Sequence, residues 1–167
     1  MAETCETKTT EIKKLYYSYE ELTKDLHIIV KKIDESNWKP DLIIGPCRGA
    51  YIPGVMLSHK FNKPFYGFMW QTRDGDKKDY EELFKILKNN KDKNILMIDD
   101  INDSGLTMNG IYDTVNLFKM NEIEKNGTIK YCVLFNKTQS SFNNIDYYSK
   151  QLTPENNPWI VFPYEEW

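Results

Sequence analysis

The stretch Asn94-Ile-Leu-Met-Ile-Asp-Asp-Ile-Asn-Asp-Ser-Gly-Leu-Thr107 decides the fold. Its four apolar residues Ile95 to Ile98 predict a strand buried on both faces, as in a parallel sheet covered by helices. Asp99 and Asp100 close that strand, and Asp103, Ser104, Gly105 and Thr107 form a short polar turn. Beyond the turn, Met108, Ile111, Val115 and Phe118 recur at helical spacing. Two acids thus sit at a strand's carboxyl end, beside a small-residue loop at a helix N-terminus. The N–H groups of such a helix start can hold a phosphate, and the acids can hold hydroxyl groups or Mg²⁺. Adjacent strand residues face opposite ways, so both acids serve one site only if the strand is ending there.

Working outward, Ser18 and Glu21 form an S-x-x-E capping box, and Leu22, Leu26, Ile29, Val30 and Ile33 make one face of the helix behind it. Trp38-Lys-Pro40 ends that helix, and Asp41-Leu-Ile-Ile-Gly45 reads as a short buried strand. Pro46-Cys-Arg-Gly-Ala50 is a turn before a helix that runs to about Phe61, and Pro64 to Trp70 reads as a second strand. The charged stretch Thr72 to Asn90 is helical in its second half, with Tyr80, Leu83 and Leu87 on one side. Its first half, with Arg73, Lys77 and Lys78, reads as a loop. Lys130 to Phe135 is another strand, ending at Asn136-Lys137, and Asp146 to Tyr148 is the last. Strands alternate with helices, which argues for an α/β fold with a mostly parallel β-sheet flanked by helices. Residues 1–14 read as a flexible tail and 15–167 as one domain. In such a sheet ligands bind beyond the carboxyl ends of the strands. Pro46 to Gly49, Asp99 to Thr107 and Asn136-Lys137 meet there. Pattern alone implies a site for a phosphorylated, polyhydroxylated small molecule and names no reaction.

The composition narrows the classes. The chain has 167 residues, 40% of them hydrophobic and 14% aromatic, enough for a globular core. A net charge of −3 gives no general attraction to nucleic acid or acidic membranes. The three cysteines, Cys5, Cys47 and Cys132, show no CxxC spacing and fit a reducing cytoplasm. With only His27 and His59, a His-rich metal site is excluded. No apolar run approaches the roughly 18 residues of a membrane span, and residues 1–14 lack the apolar segment of a secretory signal.

The segment Ile98-Asp-Asp-Ile-Asn-Asp-Ser-Gly-Leu-Thr107 resembles the fingerprint of the type I phosphoribosyltransferases: a hydrophobic strand, two acids, then Asp-Thr/Ser-Gly-x-Thr. Ile44-Gly-Pro-Cys-Arg-Gly-Ala-Tyr-Ile-Pro-Gly54 is similar to the pyrophosphate loop of the bacterial xanthine-guanine enzymes, and the resemblance as a whole is to bacterial xanthine-guanine and hypoxanthine-guanine phosphoribosyltransferases. Phe135-Asn-Lys137 is similar to their purine-reading strand, and Pro158-Trp-Ile-Val-Phe-Pro163 to the segment that covers the base. The resemblance spans roughly residues 38 to 163. It departs from the pattern at Pro46-Cys47, at Ala50 in place of a second glycine, at Ser104 and at Leu106. Ser104 keeps the hydroxyl of the commoner Thr, and Ala50 is expected to tighten the pyrophosphate loop.

The resemblance implies a type I phosphoribosyltransferase fold with a small C-terminal hood. It implies transfer of the phosphoribosyl group from 5-phosphoribosyl-1-pyrophosphate (PRPP) to a 6-oxopurine, with Mg²⁺. The loop Asp103, Ser104, Gly105, Leu106 and Thr107 would hold the 5-phosphate. Asp99 and Asp100 would bind ribose hydroxyls directly or through the metal, and Arg48 with the Gly49 N–H would contact pyrophosphate. Asp103 would be the general base. Lys137 would donate to the purine carbonyl at ring position six, Trp159 would stack on the purine, and the Ile160 carbonyl would accept from an exocyclic amine. Arg73, Lys77 and Lys78 would belong to a lid. The expected partners are PRPP and a purine base, with no nucleic acid and no membrane. The expected state is a cytoplasmic homo-oligomer, a dimer or tetramer.

Other classes fit less well. Asp100, Asn102, Ser104 and Gly105 match positions one, three, five and six of an EF-hand, but position twelve is Ile111, where a bidentate Glu is needed. A receiver domain would place its acid pair after the first strand. A non-catalytic regulator of the same fold is the serious alternative, and a phosphoribosyltransferase for another nucleobase is the second. Asp103, Lys137, Trp159 and the net charge of −3 favour the enzyme.

Overall fold

The computed structural model describes residues 13–72, 75, 77–121 and 127–165. The elements run β1 (Lys14–Tyr16), α1 (Tyr19–Glu35), β2 (Leu42–Cys47), α2 (Tyr51–Phe61), β3 (Phe65–Met69), α3 (Tyr80–Asn89), β4 (Ile95–Asn102), α4 (Leu106–Asn121), β5 (Ile129–Lys137), β6 (Tyr147–Leu152) and β7 (Trp159–Val161). Five strands form one sheet in the order β3-β2-β4-β5-β6. All of its pairings are parallel.

Side-chain alternation along the central strands assigns the helices to opposite faces. Leu96 and Ile98 of β4 join Ile43, Cys132 and Leu134 beneath α1 and α2, with Leu26, Ile29, Ile33 and Leu57 facing them. Ile95 and Met97 join Leu42, Ile44, Tyr131 and Val133 beneath α3 and α4, against Leu83, Ile86, Met108, Ile111 and Val115. Each such fully buried aliphatic side chain contributes about 1.5–3 kcal/mol of transfer free energy. The capping box forms: the Glu21 N–H donates to Ser18 Oγ at 3.2 Å, and the Ser18 N–H donates to Glu21 Oε2 at 2.8 Å.

The strand order creates the crevice. From β2 the chain crosses to β3 on one side, and from β4 to β5 on the other, so β2 and β4 flank the topological switch point. Their pairing stops at Ile44 with Met97, whereas β4 stays paired to β5 as far as Asn102 with Asn136. The carboxyl ends of β2 and β4 therefore diverge, and the acids lie in the gap.

Two expectations change. Lys14 belongs to β1, not to the tail expected over 1–14; residues 1–12 of that tail lie outside the described residues. The hood is not purely C-terminal either. β1 pairs in parallel with β7 through Lys14 with Trp159, Leu15 with Ile160 and Tyr16 with Val161. Each strand has three residues, too few for a periodic signal, and the pairing joins opposite ends of the chain. Tyr17 fastens this small sheet to the body. Its hydroxyl donates to the buried Asp25 carboxylate on α1, which Lys150 Nζ of β6 meets at 3.0 Å. Its ring packs edge-on against Phe135 and Phe162 at centroid distances of 5.0 and 5.7 Å. No helix among the described residues is long and apolar enough to cross a membrane.

Candidate active site

Beyond the carboxyl ends of β2, β4 and β5 lies a cleft of about 810 Å³. Every residue proposed for the site from sequence lines it: Arg48 and Gly49; Asp99 and Asp100; Asp103, Ser104, Gly105, Leu106 and Thr107; Lys137; Trp159 and Ile160. The hood residues stand across from the loop between β4 and α4.

That loop is shaped for an anion. Gly105 has φ of 88°, a left-handed conformation that favours glycine, and a Cβ there would lie 2.6 Å from Phe142 N and from Ser141 Oγ. The turn leads directly into α4, whose first N–H groups at Leu106 and Thr107 have no carbonyl one turn back to meet. Thr107 Oγ1 lies 2.9 Å from Thr72 Oγ1, which ties the loop after β3 to the helix start. Leu106 contributes backbone; its side chain is exposed.

The acid pair is compressed. Asp99 is buried and Asp100 partly so, and the Asp100 N–H donates to Asp99 Oδ1 at 3.0 Å. Burial pushes the Asp99 carboxyl well above the usual carboxylate range, and the Asp100 charge adds to this. Burial and then Glu165 push Asp100 up to about 6, against a lowering hydrogen bond from the Tyr164 hydroxyl. Two carboxylates held where their charge is disfavoured are a fitting oxygen donor set for a hard cation. Among the described residues no group of three or more His, Cys, Asp or Glu is arranged to hold a metal. Two protein acids completed by substrate oxygens and water fit Mg²⁺, which keeps several waters. The strand runs on through Asn102, so the expected strand end is not what brings both acids to one cleft. Release from β2 after Met97 does so.

The loop after β2 presses on Asp100: a Cβ at Gly49 would lie 2.3 Å from Asp100 Oδ2. The Cys47–Arg48 peptide is cis. Arg48 is exposed at the cleft, and Ala50 is buried in the core.

At the carboxyl ends of β4 and β5, Lys137 Nζ and Asp103 Oδ1 form an ion pair of 2.6 Å, with the lysine side chain only 11% exposed. Trp159 is 46% exposed and Ile160 buried. Of the expected lid, Arg73 lies outside the described residues. Lys78 bridges to Trp70 in an antiparallel pair with its ammonium 5.9 Å from the indole, and neither Lys77 nor Lys78 lines the cleft.

Sequence reasoning missed three contributors. Tyr164 donates to Asp100 Oδ2 at 3.2 Å and lies 3.4 Å from the Gly49 carbonyl; Phe162 stacks on its ring at 5.4 Å. Glu165 adds a fourth carboxylate to the cleft, beside Asp99, Asp100 and Asp103. The segment Thr138 to Phe142 supports the anion loop from behind. Only Tyr164 and Glu165 left a signal, by directly following the hood segment.

The cleft at the switch point is thus bounded by the glycine turn that opens α4, by the acid pair and by the hood. The chain belongs to the phosphoribosyl transferase domain family, whose model matches residues 16–166. It is similar to the hypoxanthine-guanine phosphoribosyltransferase of Aquifex aeolicus, 29% identical over 133 residues covering 75% of this chain and 71% of that one. The purine phosphoribosyltransferase of Pyrococcus horikoshii superposes with a TM-score of 0.69 at 26% identity, over 93% of this chain and 96% of that one. The xanthine-guanine-hypoxanthine phosphoribosyltransferase of Helicobacter pylori shares the fold at a TM-score of 0.65 and 21% identity, over 91% of this chain and 93% of that one.

Proposed function

We propose that this chain transfers the phosphoribosyl group of PRPP to a 6-oxopurine, giving the purine nucleotide and pyrophosphate. The observation that carries the choice of acceptor is the Lys137–Asp103 pair at the ends of β5 and β4. One cationic donor beside one anionic acceptor matches the edge of a 6-oxopurine, which presents a carbonyl oxygen beside a ring N–H. A 6-aminopurine presents a donor where Lys137 also donates. An incoming purine parts the pair and takes both partners in its place.

In the reaction a purine ring nitrogen forms a bond to C1 of the ribose as the bond from C1 to the pyrophosphate oxygen breaks. Asp103 accepts the proton from the purine and offsets positive charge that builds on the ring. The Asp103 to Thr107 loop holds the 5-phosphate, and Arg48 with the Gly49 N–H holds the pyrophosphate through forked and backbone contacts. Asp99 and Asp100 hold the ribose hydroxyls and would hold Mg²⁺, which would supply charge stabilisation for the leaving group. Trp159 covers the purine face and the Ile160 carbonyl takes an exocyclic amine where one is present. Assembly as a cytoplasmic dimer or tetramer accompanies this reading, and sedimentation equilibrium measures it.

The test supplies each nucleobase with PRPP and Mg²⁺ and follows pyrophosphate release. Turnover is expected with hypoxanthine, guanine or xanthine, and not with adenine or pyrimidines. Absence of turnover with all three 6-oxopurines overturns the proposal.

A further inference from the structure

Asn102 precedes Asp103 and Asn136 precedes Lys137, and the two asparagines are register partners across β4 and β5. Asn102 is 1% exposed. A buried amide in a sheet is costly unless its polar atoms are bonded, and here they are. Its Nδ2 donates to Asn136 Oδ1 at 2.8 Å and to the Phe142 carbonyl at 2.9 Å, while Oδ1 accepts from Ser140 Oγ at 2.7 Å. A carbonyl only accepts, so the amide nitrogen must face Phe142, and the orientation of Asn102 is fixed. Packing alone would be met at this strand position by a β-branched apolar residue. The three bonds instead run to the segments that carry the two members of the ion pair. One crosses to the residue before Lys137. The others hold Ser140 and Phe142, in a segment whose Ser141 N–H and Oγ both donate to the Ser104 carbonyl, at 3.1 and 2.8 Å.

We propose that Asn102 is a positioning residue for the nucleobase: through Asn136 and its own backbone it fixes the spacing between Lys137 and Asp103. The inference rests on the assignment of that pair to the purine edge. Asn102 lies at the floor of the cleft with its amide turned to protein partners, so it acts through Asp103 and Asn136. It removes freedom at both strand ends, so that the donor and acceptor meet the purine together without being ordered on binding.

A double-mutant cycle tests this. Asn102→Val is made in the wild-type chain and in Lys137→Ala, and steady-state constants are measured for the 6-oxopurine the wild type uses best. The expected result is a rise of about tenfold in nucleobase KM with kcat lowered less than about threefold. In the Lys137→Ala background the same change is expected to raise KM less than about twofold. A merely structural residue weakens both backgrounds by the same factor, and that result overturns the inference. If Asn102→Val does not fold, Ser140→Ala, which removes only the donor to Asn102 Oδ1, takes its place. It is expected to raise KM about threefold in the wild type and not in Lys137→Ala, and equal factors again overturn the inference. A wild type without nucleobase turnover removes the purine assignment and this inference together, whereas turnover with equal factors removes only the inference.

Discussion

The two ends of the cleft rest on different foundations. The proposed anion end grows from β4, the middle strand of the sheet, whose residues Leu96, Met97 and Ile98 are fully buried and lead directly into the Gly105 turn and α4. The hood end is a two-stranded ribbon of three residues a side. Such a ribbon is marginal alone, and it is held by the aromatic packing of Tyr17 and Phe162 and by the Tyr17–Asp25–Lys150 cluster. On the proposed assignment the sugar phosphate would meet a wall continuous with the main sheet, and the nucleobase would meet a cover attached to it by a few contacts. The comparison can be broken by showing that the two ends fail together, or sharpened by showing that they fail apart.

The largest effect belongs to the rigid end. Asp103→Asn is expected to lower kcat by about 100-fold or more, the usual scale of a lost general base, while Mg²⁺·PRPP affinity measured by calorimetry changes only a few-fold. Turnover near wild type would move the chemistry away from Asp103.

At the hood end Asp25→Ala removes the carboxylate that Tyr17 and Lys150 share. Loss of one partner from a buried polar cluster is expected to cost about 2–3 kcal/mol in urea unfolding. Nucleobase KM should rise severalfold while PRPP affinity stays within about twofold. A parallel loss of PRPP affinity would mean that the hood and the anion end are one cooperative unit.

This contrast also explains which parts of the molecule are legible in the sequence. The anion end is local. Strand, acids, turn and helix follow one another from Ile95 to Phe118, so period and spacing reveal them, and Asp99, Asp100 and the loop come to the cleft as read. The capping box at Ser18 and Glu21 is local too and forms as read. The hood depends on pairing Lys14 with Trp159, and no window of sequence contains both residues. Lys14 therefore reads as tail. The contacts of Asn102 and Tyr164 are hidden for the same reason. Asn102 is a polar residue in a strand until Asn136, Ser140 and Phe142 surround it, and Tyr164 is one aromatic residue among several until Asp100 meets it.

The acid pair predicts a pH dependence. Asp100 is raised to about 6 in the fold from about 4 in an unfolded chain. Its contribution to stability is therefore full below pH 4 and is lost as pH rises through about 6; Asp99, raised in the same direction, adds to this. Partial exposure of Asp100 reduces the effect to about 1–2 kcal/mol. The ligand-free protein should melt at lower temperature at pH 7.5 than at pH 5, and Asp100→Asn should flatten that difference while weakening PRPP binding. Over the same interval wild-type affinity for Mg²⁺·PRPP should rise if, as proposed, the metal and the ribose take the charged acids. A wild-type melting temperature that rises with pH, or a difference untouched by Asp100→Asn, would remove the strained pair from the account.

The smallest effect comes from the contact that joins the ends. The Tyr164 hydroxyl reaches from the hood segment to Asp100 Oδ2 and the Gly49 carbonyl. Burial, followed by the Asp100 charge, pushes its ionisation upward, so it remains a donor at neutral pH. In Tyr164→Phe the stack on Phe162 is kept and Asp100 loses a donor that favours its charged form. The Asp100 carboxyl should then rise further, and the pH at which Mg²⁺·PRPP binding is half-maximal should move upward by a few tenths. Stability should change by no more than about 1 kcal/mol, the net worth of one hydrogen bond. Titration calorimetry between pH 5 and 8 separates the outcomes. An upward-shifted binding profile with nucleobase KM unchanged makes Tyr164 an electrostatic partner of Asp100 alone. A profile left in place with nucleobase KM raised makes it a strut of the hood, and the two ends would then share no charged contact through this residue.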